Sequence, residues 1–295
     1  MTEVWEPLKV DTPRGTFEVF RNGDGKPLCV THLYSAFNQT GDHFAHAFLS
    51  WRTVYLVNLR DAGNSPRVRH QTELSMDMAV DDLDAIRAAL GVAAWDYAGH
   101  STGGMLGLKY ALAHPESLGA LIVAGAAASH HYNQRKDCIY HPDHPQFGRM
   151  QQLLEQLKDP RLPDTKRQRL TRQRTELSLY QPEHYDRYFD GRVTKRLAPS
   201  RLEYFSAWDF SAFDVRTRLA NIHLPVLVAC GRHDVQCPFW CSEEMHQLIP
   251  GSYLAEFASS NHYPFLEEPD KFQRVVEALL HTRDAEDLRL SSHGE

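Results

Sequence analysis

Short apolar runs alternate along this chain with stretches whose apolar positions recur at helical spacing. Residues 27–31 read as a buried strand and 54–59 as the next, with a helix-like stretch around 43–48 between them. Met76, Val80, Leu83, Ile86, Ala89 and Leu90 fall on one helical face, which predicts a helix over 76–90 that Gly91 stops. A third strand is expected at 95–98, a small-residue helix at 103–114 before Pro115, and a fourth strand at 121–124. Two more strands, 225–230 and 253–257, each precede a helix, the last near 269–280. Strand and helix in alternation predict an α/β fold, a doubly wound and mostly parallel sheet flanked by helices.

From 129 to 221 the rhythm breaks. This stretch is rich in Arg, Gln, His and Tyr, and no run in it reads as a buried strand. Residues 150–157 and 166–179 look helical, with polar surfaces. A helical insertion between two strands would lie over the carboxyl edge of the sheet, where ligands bind in open α/β folds. The expected organisation is a core of residues 1–128 and 222–295 with a helical cap, 129–221, inserted before the penultimate strand. The charged tail, 283–295, is expected to fray.

Composition narrows the function. Thirty-two basic against thirty-eight acidic side chains leave a net charge of −6 over 295 residues. Such a balance gives no electrostatic footprint for nucleic acid or an anionic membrane. No stretch approaches the ~18 apolar residues of a spanning helix, and the first residues lack the basic and apolar regions of a signal peptide. A cytoplasmic protein acting on a small molecule is the expectation; the oligomeric state is not legible. Cys29, Cys138, Cys230, Cys237 and Cys241 are an odd, sparse set, better read as packed free thiols than as a disulfide framework. Cys237 and Cys241 would share a helix face, but no second Cys/His pair stands beside them for zinc. The His- and Asp-rich segment 129–144 likewise lacks a metal-binding spacing, so no metal is expected.

The sharpest local signal is Gly99-His100-Ser101-Thr102-Gly103, followed by Gly104, between a predicted strand and a predicted helix. That is the context of a nucleophile elbow, a strained turn that presents a serine beside free helix N–H groups and needs small neighbours. A serine needs a base, and the base an orienting acid. Of the 17 histidines, His262 directly follows the last predicted strand, and Asp234, in Gly231-Arg232-His233-Asp234, follows the one before. Both therefore reach the same sheet edge as Ser101. His233 is the rival base, but it would face away from its neighbour Asp234. An oxyanion hole needs two backbone donors: Thr102 is one candidate, and the loop after the first predicted strand supplies Tyr34, with Leu33 in reserve.

Taken together, the His32 loop, Arg60-Asp61-Ala62-Gly63-Asn64-Ser65, the GHSTGG elbow, GRHD and NHYPFLEEP make the chain resemble the α/β-hydrolase superfamily over most of its length. The resemblance is to the capped branch that includes proline iminopeptidases, esterases, lactonases and carbon–carbon bond hydrolases. It implies a Ser–His–Asp triad at Ser101, His262 and Asp234, a covalent acyl-enzyme and no cofactor. Two departures stand out: His32-Leu33 replaces the usual His-Gly, and neither glycine motif typical of proline iminopeptidases is present. Candidate substrate contacts are His100 and the cap aromatics Tyr204, Phe205 and Trp208, near Phe210. Glu176, Glu183 and Glu203 are the acids that could hold a substrate amino group. The expected activity is hydrolysis of a small ester or related acyl bond. The alternatives are an iminopeptidase-like aminopeptidase, or a lyase or ligand receptor on the same fold.

Overall fold

Along the chain run the strands β1 (Glu6–Thr12), β2 (Gly15–Asn22), β3 (Lys26–Val30), β4 (Ser35–Ala36), β5 (Arg52–Val57), β6 (Trp95–His100), β7 (Leu118–Ala124), β8 (Arg196–Leu197), β9 (Val226–Gly231) and β10 (Tyr253–Phe257). This is a computed structural model, describing residues 4–159 and 161–292. All strands but β4 and β8 join one sheet in the order β1-β2-β5-β3-β6-β7-β9-β10. From β5 to β10 every pairing is parallel, while β1–β2 and β2–β5 are antiparallel.

The parallel strands have a physical cause in their sequence. Every residue of β7 is buried, and side chains alternate between two core layers: Leu121 and Val123 enter one, Ile122 and Ala124 the other. Val226 and Val228 of β9 continue the first layer, Leu227 and Ala229 the second. Strands buried on both faces need helices on both faces. Among the helices, α1 (His43–His46) covers one face, with α2 (Met76–Ala89) and α3 (Thr102–Ala113) on the other.

The hairpin β1–β2 corrects the expectation that the first strand begins at residue 27. It lies at the sheet edge, where Val10 is the one buried residue of β1, so no apolar run marks it. In β2 the signal is present: Phe17 and Val19 alternate with Glu18 and fill the first core layer.

Between β7 and β9 the chain forms α4 (Phe147–Leu157), α5 (Asp164–Glu176), α6 (Tyr185–Tyr188), α7 (Pro199–Tyr204) and α8 (Phe210–Ala212). The ends of this helical insertion meet in an isolated antiparallel bridge, Ser129 with Asp214, flanked by His130 N–H to Phe213 O at 2.8 Å and Val215 N–H to Ala128 O at 2.9 Å. The neck therefore closes near residue 214, and Leu219 and Ile222 already belong to the main core. A second attachment is the β4–β8 pairing, which stitches the insertion to the loop after β3. There Lys195 Nζ binds Asp42 Oδ2 at 2.7 Å. Burial alone would raise the Asp42 carboxyl, but the Lys195 charge and hydrogen bond bring it down to about 2.

The chain closes with α9 (Phe239–Leu248), α10 (Pro264–Glu267) and α11 (Pro269–Ser292). The backbone of α11 stays helical through the segment expected to fray from 283; of that tail, residues 293–295 lie outside the described residues. Among the described residues, no helix is long and apolar enough to cross a membrane.

Candidate active site

Ser101 sits between β6 and α3 with φ 56° and ψ −125°, a region that side-chain-bearing residues rarely occupy. Its carbonyl accepts from Gly104 and Met105, at 2.9 and 3.1 Å, and its N–H donates to Ala124 O at 2.9 Å. The glycines around it are required by space. A Cβ on Gly99 would collide with the Gly103 carbonyl, one on Gly103 with the Thr31 carbonyl, and one on Gly104 would come within 2.8 Å of Ala126 Cβ. The elbow thus touches the end of β3 directly. The twelve-residue α3 begins at the next residue, so its unpaired N–H groups and positive dipole end lie beside the serine.

Asp234 and His262 come together from the ends of β9 and β10. His262 Nδ1 lies 2.9 Å from Asp234 Oδ2, and the two residues are 2% and 3% exposed. With Nδ1–H donating, Nε2 is left as the acceptor a base requires. The other carboxylate oxygen accepts from the backbone N–H groups of Gln236 and Cys237, at 2.8 and 2.9 Å. Gly125, at φ 53°, backs directly onto the pair: a Cβ there would lie 3.1 Å from Asp234 Oδ2 and 3.2 Å from His262 Nδ1. The motif after β10 holds the histidine's loop. Asn261 Oδ1 accepts from Val235 N–H at 3.0 Å, and Glu267 accepts from the N–H groups of Asn261 and Tyr263, at 2.8 and 3.3 Å, on either side of His262. Among the described residues the Ser101 hydroxyl makes no hydrogen bond, and catalytic contacts commonly tighten only when substrate is bound.

The loop after β3 meets the elbow through His32, whose Nε2 lies 3.2 Å from Thr102 Oγ1 and whose Nδ1 lies 3.0 Å from Ser35 Oγ. Burial, then the Lys195 charge, lowers its pKa to about 3, so the ring is neutral at working pH. Among the described residues the N–H groups of Tyr34 and Thr102 donate to no protein acceptor. Arg201 of α7, 2% exposed, donates through Nε to the Leu33 carbonyl, and through its other nitrogens to Arg60 O at 3.2 Å and Leu74 O at 3.3 Å. The Leu33–Tyr34 peptide is trans, so holding its carbonyl turns the Tyr34 N–H the opposite way. One buried guanidinium from the insertion thereby sets the orientation of the loop.

The sequence signature described as the alpha/beta hydrolase fold matches residues 32–269. The chain belongs to this family. An alpha/beta fold family hydrolase from Bacillus anthracis str. Sterne superimposes with a TM-score of 0.91 and 42% identity, covering 94% of this chain and 99% of that one. RutD of Serratia proteamaculans, whose name assigns it to carbamate hydrolysis, is 28% identical over 92% of this chain and 97% of its own. A proline iminopeptidase of Heyndrickxia coagulans is 25% identical over 93% of this chain and 98% of its own.

Against that alpha/beta hydrolase frame, the remaining sequence candidates separate. His100 is close, its ring centroid 4.5 Å from that of His262, and its Nε2–H donates to the His262 carbonyl at 2.7 Å. Burial holds this ring well below the usual histidine pKa, and it braces the His262 loop among Phe44, Tyr263 and Phe265. Phe205 is buried, 6.0 Å from Tyr34. Trp208 is 62% exposed. Tyr204 lies by the charges of Asp77 and Asp209. Phe205–Asp209 forms a π-helical turn. His233 is exposed and stacks on Tyr180 at 4.6 Å, away from the base position. Glu176 is tied to Arg172 at 2.7 Å, and Glu183 and Glu203 are exposed. The five cysteines are buried free thiols; burial pushes the Cys29, Cys230 and Cys237 thiols up, which makes them poor nucleophiles.

Proposed function

We propose that this alpha/beta hydrolase cleaves small esters or related acyl bonds through an acyl-enzyme, with Ser101 as nucleophile, His262 as base and Asp234 as its orienting acid. The observation that carries the reading is the strained Ser101 backbone at the head of α3 on the same sheet edge as the buried His262–Asp234 pair. His262 takes the Ser101 proton as attack begins, and Asp234 stabilises the resulting imidazolium. The Thr102 and Tyr34 N–H groups take the developing oxyanion. Water activated by His262 then releases the acid. The insertion that closes at the Ser129–Asp214 neck acts as the cap over this edge, and specificity lies between it and the sheet.

An ester is favoured over a free-amine peptide by the charges around the cap. The candidate acids Glu176, Glu183 and Glu203 are paired or exposed, leaving none of them to receive a substrate ammonium. Turnover of p-nitrophenyl acetate and butyrate, with no cleavage of proline p-nitroanilide, is the expected result. Cleavage of the anilide in preference to the esters would replace the reading with the iminopeptidase one. Carbamates, as in the name of the RutD relative, fall within the same acyl chemistry and belong in the same panel.

Arg201 enters as a positioning residue for the Tyr34 donor. Arg201→Met should lower kcat by about 10²-fold with KM nearly unchanged, the loss expected when one oxyanion donor is misaligned. Arg201→Lys should recover part of it. An unchanged kcat in a folded Arg201→Met protein would remove this role.

A further inference from the structure

Arg174 lies on the face of α5 that turns inward. Leu170, one turn before it on the same face, is buried, as are Thr175 beside it and Ser178 in the turn just after the helix. That face ends on the reaction centre. The Ser178 carbonyl accepts from the His262 N–H at 3.2 Å, and the Ser178 hydroxyl accepts from Gln236 Nε2 at 3.0 Å, two residues beyond Asp234. Gln236 in turn accepts from Tyr140 Oη at 2.8 Å.

The Arg174 charge bears on His32, Tyr34, Tyr140 and Tyr263. Two of these belong to the loop after β3, and Tyr263 adjoins His262. All four are half-buried, each keeping some accessible surface. Arg174 itself is half-buried and, among the described residues, makes no hydrogen bond and no ion pair. The acids near it on the chain are taken: Glu176 and Asp186 both bind Arg172, at 2.7 Å each. The three phenols supply no countercharge, because burial pushes their pKa values up. A half-buried guanidinium with no acid paired to it has its donors open to a bound anion.

We propose that Arg174 anchors a carboxylate of the substrate, so that the ester or related acyl compound cleaved at Ser101 is an anionic one. This deepens the serine-hydrolase reading and rests on it. A guanidinium offers a carboxylate two parallel N–H donors in a matching plane, which fixes orientation as well as charge. Held there, the substrate would present its carbonyl to Ser101 from a defined direction. The same cation repels a free ammonium.

The test compares esters that differ in one terminal carboxylate: the mono-4-nitrophenyl esters of adipic and suberic acids beside 4-nitrophenyl hexanoate and octanoate. Wild type, Arg174→Gln and Arg174→Lys are assayed as full chains. Wild type should prefer the charged member by about 10- to 100-fold in kcat/KM, the range of a charge-assisted hydrogen-bonded contact. That ratio should collapse to within about threefold in Arg174→Gln and partly return in Arg174→Lys. Because it is a ratio, a general loss of activity in a variant does not erase the readout. Equal kcat/KM for charged and neutral members, or a preference that survives Arg174→Gln, overturns the proposal. If no ester turns over, protection of Ser101 from a neutral fluorophosphonate decides. Protection by adipate but not adipamide, lost in Arg174→Gln, supports the anchor; equal or absent protection overturns it. Failure of the probe to modify Ser101 at all would overturn the serine-hydrolase reading, and the anchor with it.

Discussion

Ser101→Ala should lower kcat on an activated ester by about 10⁶, or about 8 kcal/mol of transition-state stabilisation at 1.36 kcal/mol per decade. The substitution deletes one oxygen and little else. Alanine meets the same φ of 56° that serine does, and the α3 N-terminus, the glycine contacts and the His262–Asp234 bond are untouched. Melting temperature should therefore stay within a few degrees of wild type while turnover disappears. The residue left over is the contribution of binding and the oxyanion donors, some 10³–10⁴ above water. Single-turnover assays beside fluorophosphonate labelling of wild type make the comparison. A folded Ser101→Ala protein with wild-type turnover would end the hypothesis, because neither an aminopeptidase nor an esterase of this kind works without the hydroxyl.

Much of this architecture is legible in the chain because it is local. Parallel strands buried on both faces are nearly unbroken apolar runs, and β7 and β9 announce themselves that way. The elbow is legible for the same reason: its small residues are dictated by contacts within five positions and with the ends of the two neighbouring strands, β3 and β7. What stays hidden depends on distance. Arg201 reaches a carbonyl 168 residues away, and nothing around it in sequence distinguishes it from the other arginines of a basic, polar stretch. Arg174 has the same disguise. Gly125 looks like one more small residue after β7 until Asp234 and His262 close over it. Glu267 sits within NHYPFLEEP, but its role as acceptor for the peptides flanking His262 requires α10 to fold back on the loop.

Asp234→Asn should cost on the order of 10⁴ in kcat, and the hydrogen bonds around the carboxylate say why. Oδ1 accepts from two backbone donors, Gln236 N–H at 2.8 Å and Cys237 N–H at 2.9 Å. An asparagine placed there must keep its carbonyl oxygen on those donors, because turning its NH₂ toward them would set donor against donor in a buried site. Its NH₂ is then forced onto His262 Nδ1, which must accept. The ring proton moves to Nε2, the atom that has to receive the Ser101 proton, and the base is blocked by a tautomer rather than by a displaced side chain. Size, packing and the Gly125 contact are nearly unchanged, so the variant should fold with a melting temperature close to wild type and bind substrate with a similar KM. Labelling of Ser101 by fluorophosphonate should slow with kcat, since both need the same proton transfer. Asp234→Ala separates the explanations: it removes the orienting acid without imposing the wrong tautomer, so it should retain more activity than Asp234→Asn if tautomer is the cause. Activity within tenfold of wild type in Asp234→Asn would mean that His262 takes its orientation from elsewhere, and that the buried pair at 2.9 Å is structural.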